Sequence, residues 1–546
     1  MERNKKGEDM DTREHTEVGN MLKFDEMGIK DNPYIIIDEQ TGILSLMIQG
    51  LNDDNMPTST NLKLTPGNVV AMSGDYFGGT EVSFDLPSLA EFKENPDDFN
   101  NDISLGHYLF NKPISFEDKD KFVRSYRKLA NPQVTQQEIE TIYKIDSANY
   151  IPFSSTLNGY VQEIMFAMWV KNYGEILIRN LSHFTPWSVR AYTVGHYLAL
   201  KFARCHYEFK KLAENPQYTS NSDEFNETYE QLKQRPKGMS KDELRDLAYR
   251  FQVLAIGIEL FSFHYYSDHF AAGHCQPMGD LRAILPEQFG TWGSILVNGL
   301  HDESNRVTIY TRRPYDPNPD LTAPPVEAGG DGDFDTPQNY YNKLACVAGM
   351  QASLGDLYNV FQGSPIPKQS EYAGLKHLPD IDPNYRQPQP LFVMGNDKKV
   401  YYRTELSKIR TLSPSQWKAT YESPAEHGYT ELNSKWQAFV LVFKLRVLSF
   451  IYQGTLQKLS EEELSAIEEE EHALNPNRHP IPRPPKEMEK TPDLVPQLSP
   501  VNWKKQSASS KDVISGLNQF GFLSKSSEHI DILSKDSEEQ TISPSI

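Results

Sequence analysis

Apolar residues along this chain change period several times, and each change predicts an element. Residues 34–51 hold the runs Y-I-I-I and I-L-S-L-M-I, separated by D-E-Q-T-G, which predict strands joined by a turn. Residues 69–72, V-V-A-M, predict a short buried strand, followed by a flexible turn around Asp75 with Gly74, Gly78 and Gly79. From 117 to 150 the chain is charged and predicted helical. Residues 157–179, 186–209, 241–270 and 339–362 carry apolar side chains at helical spacing and predict core helices. The polar stretch 215–242 predicts an excursion between two of them. Residues 311–339, rich in Pro, Gly and Asp, predict a long loop; its D-G-D-F-D run lacks the full spacing and closing Glu of a calcium loop. From about 364 the texture becomes Pro-rich with short mixed segments, including 401–411 and a helix at 433–459.

The pattern predicts a mostly α protein. A short β-containing segment opens a main helical domain at 26–362, and a smaller mixed module follows at 363–459. Residues 1–25 and the acidic, Pro/Ser-rich stretch 460–546 predict largely disordered ends. No internal repeat is visible.

Composition changes this picture at few points. A net charge of −20 argues against an overall electrostatic footprint for nucleic acid or for an anionic membrane, and leaves a zwitterionic lipid surface open. Three cysteines, Cys205, Cys275 and Cys346, form no disulfide framework and no C-x-x-C pattern. The first residues lack the apolar core of a secretory signal, so export by a Sec-type signal is not expected. The best apolar segment, 439–452, is short and carries Lys444 and Arg446, so no transmembrane span is expected.

The candidate chemistry lies in H-Y-Y-S-D-H-F-A-A-G-H, residues 264–274. His264 and Asp268, four apart, share a helix face, and Gly273 stops the helix just before His274. Imidazole and carboxylate are a donor set that suits zinc. The plainer alternative is a helix whose histidines pack against neighbouring tyrosines. Seven of fourteen histidines fall between His183 and His301, which favours a metal site. His183 and His196 are candidates within that window, and His206 and His269 are the two to discount first. After His301 come Asp302, Glu303 and Asn305; a helix would offer Asn305 as partner and a loop Glu303. Asp75 is either a turn residue or a carboxylate aimed into a site. There is no G-x-S-x-G elbow, no phosphate-binding G-x-x-x-x-G-K-[ST] loop and no H-E-x-x-H helix.

The spacing H-x3-D-x5-H at His264, Asp268 and His274 resembles the signature of the zinc-dependent phospholipase C and single-strand nuclease superfamily. Together with G-D-Y-F-G at 74–78, N-L-S-H-F and G-H-Y-L-A-L, it resembles a larger bacterial branch that hydrolyses phosphatidylcholine. The resemblance covers roughly residues 60–360. It implies an all-α core around two to three zinc ions. His264, Asp268 and His274 would be ligands, with Asp268 bridging two metals. His196 would be the helix-borne histidine, and Asp75 and His183 further ligands. The superfamily has an acidic residue four after its last histidine ligand; here that place is Asn305, so Asn305 or Glu303 takes the role. The superfamily's N-terminal Trp is absent. The implied reaction is metal-assisted attack of water on phosphorus, with Asp75 accepting or orienting the proton and diacylglycerol released. Tyr265, Tyr266 and Phe270 would line a choline pocket or are core aromatics. A nuclease on the same metals, or a scaffold with structural zinc, are the alternatives. The polar C-terminal end, with Glu538 and Glu539, resembles signals read by specialised bacterial secretion machinery, which implies an effector delivered into a host cell to act on lipid there.

Overall fold

The structure, a computed structural model, describes residues 12–78, 112–170, 181–225 and 239–484, apart from 26, 39, 41, 55, 149, 152–154, 223, 224, 276, 277, 317–319, 331–333 and 335. The D-G-D-F-D run apart from Phe334, the C-terminal tail with Glu538 and Glu539, and residues 1–11 lie outside it. The protein is mostly α, with small sheets towards each end. The chain divides into two compact units, residues 1–139 with 172–500, and 140–171 with 501–546. In the second unit, the Gln162 amide donates to the carbonyls of Ile145, Asp146 and Ala148 and closes the turn there.

The first unit opens with a helix where polarity predicts disorder. α1 (Thr12–Asn20) buries Glu14, His15 and Val18. Its inner face is polar because it looks at polar partners, so hydrophobic periodicity does not reveal it. β1 (Ile35–Ile37), β2 (Leu44–Leu51) and β3 (Pro57–Leu64) form an antiparallel sheet in that order. The predicted strand at 69–72 is instead part of α2 (Pro66–Met72). Thr65 caps it, Asn68 returns the capping bond, and Pro66 occupies the first turn. A π-helical turn, Ser73–Gly78, follows in place of a loose loop. Gly19 of α1 meets Gly67 of α2 so closely that a Cβ on Gly19 would sit 2.7 Å from the Gly67 Cα. That approach seats α1 against the rest of the unit.

α3 (Phe116–Leu129), α4 (Gln136–Ser147) and α5 (Ser155–Trp169) precede the two longest helices. α6 (Trp187–Glu214) and α7 (Lys241–Asp268) are 28 residues each and pack along their length. Phe209 stacks on Phe251 at 5.4 Å between them. α7 is held at its start by the Ser240–Glu243 capping box and is buried through its second half. α8 (Met278–Phe289), α9 (Thr291–Ser304) and α10 (Tyr340–Phe361) complete the helical body. Between the last two, β4 (Ile309–Arg312) and β5 (Val326–Ala328) pair and are joined by β6 (Asp380–Ile381).

The expected C-terminal module shares a core with the helical body. β7 (Phe392–Met394), β8 (Val400–Arg403) and β9 (Tyr429–Glu431) form its largest sheet. Phe392, Met394 and Val400 pack into one cluster with Leu281 and Leu285 of α8 and Leu296 and Leu300 of α9. α11 (Pro414–Glu422) precedes β9. The single helix expected at 433–459 is α12 (Lys435–Val442), a π turn at Phe443–Val447, and α13 (Ser449–Tyr452). Where disorder is expected from 460, Ser460 and Glu463 instead form a capping box that starts α14 (Glu461–Leu474). Arg386 holds α14 through Glu471 and Glu468.

Candidate metal centre

Five imidazoles and one carboxylate gather where α1, the Ser73–Gly78 turn, the Leu181–His183 turn and the end of α7 meet. His264 and Asp268 leave one face of α7, and His264 Nε2 lies 3.4 Å from Asp268 Oδ2. His183 brings its Nδ1 to 2.5 Å from the same oxygen and 3.3 Å from His264 Nε2. From the other side, His15 Nε2 lies 3.2 Å from Asp268 Oδ1. The two oxygens of one carboxylate therefore face different imidazoles. His15, His264 and Asp268 offer donor atoms all within 4.8 Å of one another. The row continues through ring centroids: His15 to His264 at 4.1 Å, His264 to His183 at 4.7 Å, His183 to His274 at 6.4 Å and His274 to His301 at 5.1 Å.

The outer nitrogens decide what the inner ones can do. His264 Nδ1 is 2.9 Å from the Val70 carbonyl and His274 Nδ1 is 2.9 Å from the His183 carbonyl. A carbonyl only accepts, so both Nδ1 atoms carry the proton. Ser267 donates its hydroxyl proton to the Phe263 carbonyl and so accepts from His15 Nδ1 at 2.9 Å. Each Nε2 is left to face inward with its lone pair. Lone pairs turned on a buried carboxylate repel unless extra protons or a cation lie among them. Zinc at about 2.0–2.1 Å from tetrahedral donors sets neighbouring donors about 3.3 Å apart, close to the spacings of His264 from His183 and from Asp268. The donor set thus fits a metal, with the backbone and Ser267 orienting the rings as metal-bound histidines require. With additional protons in place of a cation, burial still pushes the Asp268 carboxyl up, but charged His264 and His183 and hydrogen bonds donated by His15 and His183 outweigh it and hold it well below the usual range.

Gly74 explains the close fit on one side. A Cβ there would run into the rings of His264 and His183. The next residue, Asp75, has its backbone in the same π turn; its side chain lies outside the described residues.

A second donor group follows. His301, in the last turn of α9, lies beside His274, and Phe184 stacks on His274 at 4.6 Å. Asn305 caps α9; its Oδ1 accepts from the Gly273 N–H at 2.7 Å, and its Nδ2 lies 3.2 Å from His301 Nε2. Asn305 is therefore with the histidines. Glu303 is not: it makes a buried bidentate pair with Arg403 at 2.8 Å for each bond. Asp302 of α9 pairs with Arg446 at 2.7 Å and lies 4.0 Å from His301 Nδ1.

His196 is also placed elsewhere. From α6 its Nδ1 contacts both oxygens of Glu259 at 2.9 Å, and its Nε2 lies 3.5 Å from Asp356. Ser353 donates to Glu259 at 2.5 Å. Burial pulls the His196 pKa down, but Glu259 and Asp356 outweigh it and raise it to about 9. His206 binds the Ala248 carbonyl at 2.7 Å, and His269 is held by Thr185, Ser188 and the Pro379 carbonyl. Burial drives these two pKa values down, to about 4 and about 3. Tyr265 edges both His183 and His264, whereas Tyr266 and Phe270 pack in the core, the Tyr266 hydroxyl donating to the Gly374 carbonyl.

His15 is the functional candidate that sequence reasoning misses. It stands alone in a polar stretch, and Val18 is the only strongly apolar neighbour on its face. The histidine three residues before that valine is the one local signal. No protein-family model, curated protein or solved structure matches the chain.

Proposed function

We propose that this chain is a zinc-dependent phospholipase C that cleaves the glycerol-side phosphodiester of phosphatidylcholine. The observation that carries this reading is the convergence of His15, His183 and His264 nitrogens on the two oxygens of buried Asp268. The motif resemblance at 264–274 supplies the reaction class. His15 with Asp268, and His183 and His264 with Asp268, would hold zinc, and His274, His301 and Asn305 form a further donor group. Zinc supplies there a Lewis acid for phosphoryl oxygens and water acidified to a pKa of about 7. The chain's own residues set the stage for it. Asp268 spans two donor groups and fixes their spacing. The Val70 and His183 carbonyls keep the imidazole protons on the outer nitrogens. Gly74 leaves room for two rings beside the backbone. Asp75, the next residue, is proposed to take the proton from the attacking water. The products are diacylglycerol and phosphocholine.

The test is zinc content together with phosphocholine release from phosphatidylcholine, before and after chelation. Two or three zinc ions per chain and chelator-sensitive release are expected. Degradation of single-stranded DNA without lipid hydrolysis would move the site to a nuclease. A single zinc ion with neither activity would make it structural.

A further inference from the structure

We propose that the segment Lys435 to Tyr452 is a membrane-docking surface that lies in the plane of a phospholipid bilayer. Among the described residues no helix is long and apolar enough to cross a membrane. This segment nevertheless exposes an unusual row of large apolar side chains. Trp436 is 72% exposed, Phe443 45%, Val447 59%, Phe450 79% and Ile451 53%. The first four recur every seven, four and three residues along α12, the π turn and α13. The opposite face is already occupied. Ala438, Leu441 and Val442 are buried in the cluster that holds Leu296, Val297 and Leu300 of α9, and Leu445 and Tyr452 pack against it. The segment is therefore apolar on both sides, with one side in the core and the other open.

Charge chooses the occupant. The chain carries a net charge of −20, yet residues 432–460 hold Lys435, Lys444, Arg446 and Lys458 and no acidic residue. Arg446 is tied to Asp302, which leaves Lys435 and Lys444 within the segment and Lys458 six residues beyond it. Lysines flanking exposed Trp, Phe and aliphatic side chains match the boundary of a bilayer. There the aromatic rings enter between head groups and the ammonium groups reach lipid phosphates. The surface is also tied to the candidate centre, because α12 packs on α9, whose last turn carries His301. This extends the phospholipase reading to how the protein meets its lipid, but it is read without turnover.

The experiment is flotation of the full chain with phosphatidylcholine vesicles, with and without phosphatidylserine, using Phe450→Asp and the double variant Trp436→Ser, Val447→Asp. All three positions are exposed, so the fold should hold, and circular dichroism checks it. Wild type is expected to float, more strongly with phosphatidylserine, and each variant to lose about tenfold or more in vesicle affinity. Cleavage of a short-chain, monomeric phosphatidylcholine should be unchanged in these variants. Asp268→Asn should still float, which separates the docking surface from the zinc reading. Wild type that does not float, variants that float equally well, or a wild-type dimer that becomes monomeric in Phe450→Asp would each overturn the proposal.

Discussion

α7 and its neighbours hold two buried clusters of histidine and carboxylate, and they are built to opposite ends. In the middle of the helix, Glu259 meets His196 through both oxygens, Ser353 donates to the same carboxylate, and Asp356 closes the other side of the ring. At the end of the helix, two turns on, Asp268 meets His15, His183 and His264, but here Ser267 and the Val70 carbonyl take up outer nitrogens of His15 and His264. The first cluster is complete with protons alone. The second turns its lone pairs on one another and is complete only with a cation or with additional protons. Counting histidines does not separate the two; the direction of each ring nitrogen does.

The largest effect should come from breaking the second cluster. Asp268→Asn removes the charge that both donor groups share. Turnover should fall about a thousandfold or more, with zinc lost from the purified protein. A variant that keeps its zinc and its rate would show that the cluster is held by protons, like the first. Next in size, Glu259→Gln takes the main partner from buried His196 and leaves it with Asp356 alone. It should lower unfolding stability by about 3 kcal/mol in denaturant titration, while zinc content stays at the wild-type level. Loss of zinc in that variant would join the two clusters into one site.

A pH series sharpens the same contrast. An ordinary histidine has a pKa near 6.5, and His196 is raised to about 9. A raised pKa means the folded state binds the proton more tightly than the unfolded one. The stabilisation is therefore complete below the ordinary value and is lost as pH rises through about 9. Unfolding stability should decline by about 2 kcal/mol between roughly pH 7 and pH 10, and His196→Gln should flatten that decline. An unchanged slope in the variant would remove His196 as its source. The smallest expected change is a gain. Asn305→Asp keeps the acceptor for the Gly273 N–H and adds an anionic donor beside His301. Zinc at this group should bind about tenfold more tightly in chelator competition. No gain there would place Asn305 outside the donor set.

Much of this was legible in the residues themselves. The long helices, the His264–Asp268 pairing on one face and His274 just past the helix end follow from period and spacing, whereas His183 joins them through the clustering of histidines and the family resemblance. The readings that failed share a cause. His15 and α1 were hidden because a polar helix facing a polar centre has no hydrophobic stripe. Residues 69–72 suggest a strand because four apolar residues in a row carry no period, whereas Thr65 and Pro66 carry the signal for the helix at 66–72. Ser460 and Glu463 likewise announced α14 inside a stretch whose composition suggested disorder.

The choice between Glu303 and Asn305 shows where sequence stops. Both follow His301 within one turn, and local spacing favours neither outright. The decision belongs to Arg403, a hundred residues further on, which presents its guanidinium fork to Glu303 and takes that carboxylate away from the histidines. His196 was lost from the centre in the same way, by Glu259 and Asp356. Sequence alone determined which side chains could share a helix face, because 3.6 residues per turn is a local rule. Which of them meet, and with their lone pairs in which direction, was decided by contacts between distant segments, since a buried polar group must find its partner wherever the fold brings one.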